Sequence, residues 1–321
     1  MCGKPRDSRD TRGSSRVLAG PCLTGSMART PTLARRLFER FEPVHAITYF
    51  APESRAAAVD LGYRSFWIGY FVTRSAPLGP VPPQVVTAIF YNFASHRVAK
   101  SLAGAWDIAT PQQALAARET GAVAALSRYG LTADDNLRTA ADLLGRVARD
   151  AAVDGRPLFA ALSAVPWPDE PVAALWHAAT LLREQRGDAH VAALVAAGIT
   201  GRESNVLHVA AGRTTKDKVI TTRDYDEAEW AEVTAQLAAR GLLTADGSLT
   251  DDGRALKGDI EHRTDAAALP TLNVLSDDEV ETLFQALTPI ARQVVAGGDL
   301  PVITPMALQH SDLDDPSARL S

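Results

Sequence analysis

The sequence has few cysteines, few aromatic residues, no basic surplus and no long apolar run. Its two cysteines, Cys2 and Cys22, both stand near the start. From residue 23 onward there is nothing to form a disulfide framework or a cysteine zinc site, which fits a reducing cytoplasm. No stretch approaches the roughly 18 apolar residues of a membrane span, so no membrane association is expected. The opening "MCGKPRDSRDTRGSSRVLAGPCLTGS" lacks the apolar segment of a signal peptide and is rich in Arg, Ser and Gly. Residues 1–26 therefore read as a disordered tail, either an upstream start or an expression remnant, with the body beginning at Met27.

The net charge is −5, from 33 Lys and Arg against 38 Asp and Glu. Phosphate contacts dominate nucleic-acid affinity, so this balance gives a nucleic-acid role no support beyond a local patch. Reaction signatures are missing too: there is no P-loop, G-x-G-x-x-G, G-x-S-x-G, H-E-x-x-H or C-x-x-C. That argues against the common nucleotide, hydrolase and metalloprotease classes, leaves open whether the protein is an enzyme, and specifies no cofactor. His177, His190 and His208 have no spacing that sets a local ligand pair, so no metal site is expected.

What the sequence has in abundance is helix. Ala is very frequent and aromatics are only 6%. Helical runs are expected over "TLARRLFERF", over two segments broken near Pro52, over "VVTAIFYNFASHRVAKSLAGAW", and from Thr110-Pro111 to Gly130. A further helix precedes a proline-rich stretch at Pro157, Pro166 and Pro168, the best boundary in the chain. Beyond it three helices are expected, separated near Arg186-Gly187-Asp188 and near Gly198-Ile199-Thr200, with Asp188 and Thr200 as caps. Ser276 and Glu279 form a capping box for the last helix. Asp246-Gly247 in "LTADGSLTDDGRAL" predicts a type I′ turn joining two short strands, with Thr250 capping the helix that follows. The expected fold is mainly α. It comprises a helical domain over 27–155, a winged-helix domain over 156–300 with one short β-hairpin wing, and a loose C-terminal tail over 301–321.

"QLAARGLL", "LTDDGRAL" and "KGDIEHRTD" resemble the recognition helix, wing and closing helix of the MarR group. More broadly, "FEPVHAITYFAPE", "PLGPVPPQVVTAIFYNF" and "LWHAATLLREQRGDAHVAALVAAG" are similar to a family of actinobacterial proteins described only as helix-turn-helix or winged-helix proteins. The resemblance covers nearly the whole body and implies a fold more than an activity. In MarR-like folds the closing helix, which here carries His262, runs towards a dimer interface, so the resemblance implies a homodimer and an interhelical ion pair there.

DNA reading through this module meets an electrostatic objection. The helix that should lie in the major groove begins "RDYDEAEWAE", with Asp224, Asp226, Glu227, Glu229 and Glu232 against Arg223. The loop "TADGSLTDD" offers three aspartates and no base. DNA is therefore a less favoured partner than a small molecule.

Candidate ligand-binding residues are polar groups inside otherwise apolar helices, because a buried polar group must be paired or functional. His45 and Tyr49 share a helix face. Tyr91, Asn92 and His96 lie close together, with Asn92 and His96 four residues apart on an expected helix. His177, Arg183, Arg186, Asp188 and His190 form the richest segment, and an anion or polar ligand held by Arg and His is its functional reading. The plainer alternative there is helix capping by Asp188 and interhelical ion pairs by the arginines. Trp167, between two prolines, is a pocket lid or a loop anchor. The function expected is a small-molecule-binding protein on a winged helix that has lost DNA binding, with family analogy adding an enzyme of specialised metabolism. The alternative is a MarR-like ligand-responsive regulator. The first reading requires several of His45, Tyr91, His96, His177, Arg183 and His190 to converge on one cavity.

Overall fold

Proline opens helix after helix in this chain, where its missing N–H would be unpaired anyway. The computed structural model describes residues 29–301 and 313–319. Pro31, Pro52, Pro83, Pro111, Pro157 and Pro171 begin α1 (Pro31–Phe50), α2 (Pro52–Asp60), α4 (Pro83–Ile89), α7 (Pro111–Arg128), α9 (Pro157–Ser163) and α10 (Pro171–Ala196). The others are α3 (Phe66–Ser75), α5 (Ser95–Leu102), α6 (Ala105–Ile108), α8 (Asp135–Asp150), α11 (Gly201–Ala210), α12 (Lys216–Arg223), α13 (Glu227–Ala239), α14 (Asp251–Ala268) and α15 (Asp277–Ala296). Capping boxes start α7 at Thr110 and Gln113, α11 at Thr200 and Glu203, and α15 at Ser276 and Glu279. Each such cap stabilises its helix by about 1 kcal/mol.

Two hydrophobic clusters organise these helices. The larger gathers α1, α3, α7, α8, the first half of α10, and α15 around Ile47, Phe71, Leu144, Leu175 and Leu287. The smaller gathers the end of α10 with α11, α12, α13 and the start of α14 around Leu194, Val206, Trp230, Leu237 and Ile260. Helix α10, 26 residues or roughly 39 Å long, runs from one cluster into the other. Asp224, in the left-handed conformation at φ 60°, ends α12, and Asp226 caps α13. The pair α12–α13 is thus a helix-turn-helix, held on α11 by Arg202 stacked 3.3 Å over Tyr225 and by the Tyr225 hydroxyl donating to the Arg202 carbonyl at 2.6 Å.

The expected wing does not form. Among the described residues there is no β-strand, only a single antiparallel bridge between Leu243 and Leu249. A type I′ turn needs φ > 0 at both central residues, whereas Gly247 has φ 81° and Asp246 stays negative. The Gly247 N–H donates to the Thr244 carbonyl at 3.0 Å and the Thr244 N–H to the Ser248 carbonyl at 2.9 Å. This closes the loop on itself after one pairing, and Thr250 at once caps α14. The fold is all-α, and the prediction of a winged helix with a β-hairpin is corrected accordingly.

Three helix boundaries also differ from expectation. Residues 31–50 form one helix with Pro43 inside it. Gly187 does not break α10, because the flanking Arg186 and Asp188 are anchored to other elements. "VVTAIFYNFASHRVAK" does break, between α4 and α5, because Phe90 and Phe93 both turn into an aromatic cluster with Trp67, Tyr70 and Phe71. Asn92 and His96 are therefore not helical neighbours. The tail expected to be disordered, with Cys2, Cys22 and Met27, lies outside the described residues, as do 302–312 and 320–321. Residues 313–319 pack on α1 and α15: Arg36 pairs with Asp315 at 3.0 Å, and the Ala318 N–H donates to Glu281 at 2.9 Å.

Candidate functional site

Where α1, α10 and α14 face α11 and α12, the two clusters leave a cavity of about 1230 Å³. It is large by the standard of small-molecule sites, roughly 300–1,000 Å³. Its lining carries nine Arg or Lys against five Asp or Glu. Several of the cations are committed. Arg186 pairs with Asp265 at 2.7 Å, and Arg35 pairs with Asp265 at 3.1 Å and with Glu261. These bonds tie α14 to α10 and α1. Lys257 pairs with Glu261 on its own helix at 3.7 Å. The Arg213 guanidinium, on the loop after α11, is exposed and has no hydrogen bond or ion pair among the described residues.

Two histidines share this wall. His190 binds the Thr264 hydroxyl through Nδ1 at 3.0 Å, and Nε2 of His208 is buried with no partner. Burial lowers both, His190 to about 4 and His208 to about 3, with the positive charge of Lys257 adding to the shift of each. Both are neutral at neutral pH, so His208 can accept or donate one hydrogen bond to a ligand as its tautomer requires. Carboxylate Glu261 is held below its usual range: burial opposes ionisation, and His190, Lys257, Arg35 and Arg186 outweigh it.

Behind the α1 wall lies a buried polar network. His45 contacts the Thr180 hydroxyl through Nδ1 at 3.0 Å and the Tyr49 hydroxyl through Nε2 at 2.9 Å. Arg118 donates to that same tyrosine oxygen at 3.3 Å. Arg74 grips Glu184 with two bonds of 3.0 and 2.9 Å, and Arg183 adds a third at 2.8 Å. Glu42, one turn before His45, borders the cavity with neither carboxylate oxygen hydrogen-bonded.

Of the residues singled out from the sequence, Asn92, Arg183, Arg186, His190 and His262 line the cavity. His262 is at its exposed edge, and the neighbouring Arg263 pairs with Asp259 on its own helix at 2.7 Å. His45 and Tyr49 belong to the network behind the wall. Tyr91 and His96 are not part of the lining: the Tyr91 hydroxyl donates to the Ile199 carbonyl at 2.9 Å, and His96 contacts Asp224 at 2.8 Å. Trp167 and His177 pack edge to face elsewhere, 4.8 Å apart, with Arg149 over the indole. Asp188 caps a different helix from its own, accepting from the Leu158 and Phe159 N–H groups of α9 at 3.0 Å each. Replacing Asp188 by Ala strands two buried amides, and the expected loss is about 2–3 kcal/mol. Asp188→Asn keeps an acceptor and should lose less. Equal denaturation midpoints for the two variants would contradict this role.

The sequence reading did not place Glu42, His208, Arg213 or Lys257 among the ligand-binding candidates. The one local signal was the charge of Glu42 within the apolar run "FEPVHAITYF". Among the described residues no three His, Cys, Asp or Glu stand where they would hold a metal ion. No described helix is long and apolar enough to cross a membrane.

Searches among curated proteins and among solved structures each found no match. With no wing, neither the winged-helix ligand binder nor the MarR-like regulator expected from the sequence has the architecture it was built on. One family model matches residues 34–301, from the second turn of α1 to just past α15, and takes in the α12–α13 pair. The chain belongs to that family, a helix-turn-helix family.

Proposed function

We propose that the protein binds a small anionic molecule, one bearing phosphate or carboxylate groups, in the cavity between its two hydrophobic clusters. The observation that carries this reading is the excess of cations in the lining, nine against five, with Arg213 and Nε2 of His208 unpartnered. In a partly desolvated cleft such groups form charge-assisted hydrogen bonds that are about twice as strong as neutral ones. DNA is a poorer candidate for the same protein. On α13 the outward positions Asp226, Glu227 and Glu232 are exposed carboxylates. Asp224, in the turn, is already clamped by Arg97 at 2.7 Å and His96 at 2.8 Å. We also propose a cytoplasmic setting, supported by the lack of cysteine from residue 23 onward. Recovery of the native protein in an envelope fraction would overturn that part.

Calorimetric titration with inorganic pyrophosphate and with citrate tests the anion reading. Arg213 is exposed, so Arg213→Ala should fold normally. It should weaken binding about tenfold, the equivalent of one charge-assisted hydrogen bond. Absence of heat with either anion, or equal affinity in the variant, counts against the reading. A DNA duplex shifted at moderate salt by the same preparation would count against an acidic α13 face being inert.

A further inference from the structure

The carboxyl group of Glu42 is set apart from the rest of the cavity lining. Its side chain has no exposed surface, it borders the cavity, and neither oxygen has a hydrogen-bond partner. The cations around it are engaged elsewhere. On α3, Arg74 is bound to Glu184; on α10, Arg183 is bound to Glu184 and Arg186 to Asp265. The closest of them, Arg183 Nε, stops 3.7 Å from Glu42 Oε1, beyond a hydrogen bond. The other charged and titratable groups on these elements give it no partner. Glu184 repels it, Glu39 is a further acid on its own helix, and His45 is turned to Thr180 and Tyr49. An ionised carboxylate without hydrogen bonds is strongly disfavoured in such a place, and a neutral acid is not. Burial raises its pKa to about 7, with Arg183 pulling the other way.

We propose that Glu42 is the proton-donating group of this cavity, its O–H hydrogen-bonded to an oxygen or nitrogen of an anionic ligand held against Arg183 and Arg186. If the proton is handed over, the electron pair of the O–H bond stays on the Glu42 carboxylate, which faces Arg183, and the ligand atom gains the proton. No other reactant is needed. The inference rests on the anion-binding reading above and deepens it: the ligand carries a proton-accepting atom beside its charged group, as a phosphate monoester or a carboxylate does.

Sulfate is the right probe, because it remains a dianion across the whole pH range and any pH dependence then belongs to the protein. Wild-type affinity for sulfate, measured by calorimetry, should fall about tenfold between pH 6 and pH 8.5 as the donor is lost and a negative charge appears, a change of one charge-assisted hydrogen bond. In Glu42→Gln, whose amide cannot ionise, that component of the pH dependence should vanish. Infrared difference spectra supply a ligand-free readout: a protonated-carboxyl component that bleaches with a midpoint near 7 should be present in wild type and absent from Glu42→Gln, leaving that of Asp188, which burial raises to about 6. The stability sign follows from the raised pKa. The proton on Glu42 favours the folded state fully below the ordinary carboxyl range, and that contribution is lost as pH rises from about 4.5 to about 7. The urea midpoint of wild type should therefore fall relative to that of Glu42→Gln across this window and run parallel to it on either side. No sulfate binding to wild type at any pH sinks the anion reading and this inference with it. Sulfate binding whose pH slope is unchanged in Glu42→Gln, or an infrared component with its midpoint near 7 that survives the substitution, sinks the Glu42 assignment alone.

Discussion

Replacing Glu184 by glutamine should destabilise the protein by about 3–5 kcal/mol, the usual effect of removing one partner of a buried ion pair. Glu184 is 1% exposed and is the shared acceptor for Arg74 and Arg183. Burial works against its charge, yet Arg183 and Arg74 together hold it below the usual carboxylate range. Glutamine can accept one of the three hydrogen bonds well, and it leaves two guanidiniums facing each other without a counter-charge. A loss of this size is a large fraction of the roughly 5–15 kcal/mol that keeps a domain folded. The network joins α3 to α10, so its disruption should be felt across the wall that carries Arg183 and Glu42. Urea denaturation of Glu184→Gln beside the double variant Arg74→Met with Glu184→Met separates the terms. Apolar side chains of similar length remove Arg74 together with its acceptor and leave only Arg183 without its Glu184 partner, so the double variant should recover part of the stability. A single variant within about 1 kcal/mol of wild type would show that the ion pair does not hold these helices together.

Gly201→Ala should also be strongly destabilising, against what helix propensity says. Gly201 is the first residue of α11, its φ is not positive, and Ala is the better helix former by about 1 kcal/mol. Yet a Cβ here would lie inside the van der Waals envelope of the Tyr91 carbonyl oxygen, with the Asn92 Cα 3.0 Å away. Those are backbone atoms and cannot swing aside as a flexible side chain does. Overpacking of this kind loses about 1–3 kcal/mol, and more where the backbone must move. The same contact carries the Tyr91 hydroxyl bond to Ile199 and the Asn205 amide bond to the Asn92 carbonyl at 2.9 Å. The variant should thus loosen α11 from the α4–α5 loop and weaken anion binding as well as stability. If Gly201→Ala is as stable as wild type or more so, propensity wins and the close approach is not structural.

The contrast between these two positions shows what the sequence revealed and what it hid. Caps and starts are local chemistry, so Thr110-Pro111, Thr200, Thr250 and Ser276 with Glu279 could be read directly from their spacing. The break at Phe90 to Ala94 could not, because it is enforced by aromatic partners some twenty residues earlier. Nor could the loss of the wing: Asp246-Gly247 does turn the chain, but beyond the single bridge at Leu249 the side chain of Thr250 caps α14 and the chain goes into that helix instead of extending the pairing. At the site, Arg183, Arg186 and His190 stood out because they interrupt one apolar helix. Glu42, His208, Arg213 and Lys257 come together from α1, α11, the loop after it and α14, a juxtaposition that only the tertiary packing creates. Asp188 illustrates the limit within one residue: the sequence made it the cap of a helix beginning after Gly187, whereas it lies inside α10 and accepts from amides at the start of α9, thirty residues earlier.

The proposed function stands or falls on whether the cavity between the two clusters holds an anion. The most direct test is a crystal structure of the protein grown or soaked with tungstate, located by the anomalous signal of its metal. A peak is expected inside the cavity, within hydrogen-bond reach of two or more of Arg183, Arg186, His208, Arg213 and Lys257. Peaks confined to the outer surface, with only water inside the cavity, would rule anion binding there out.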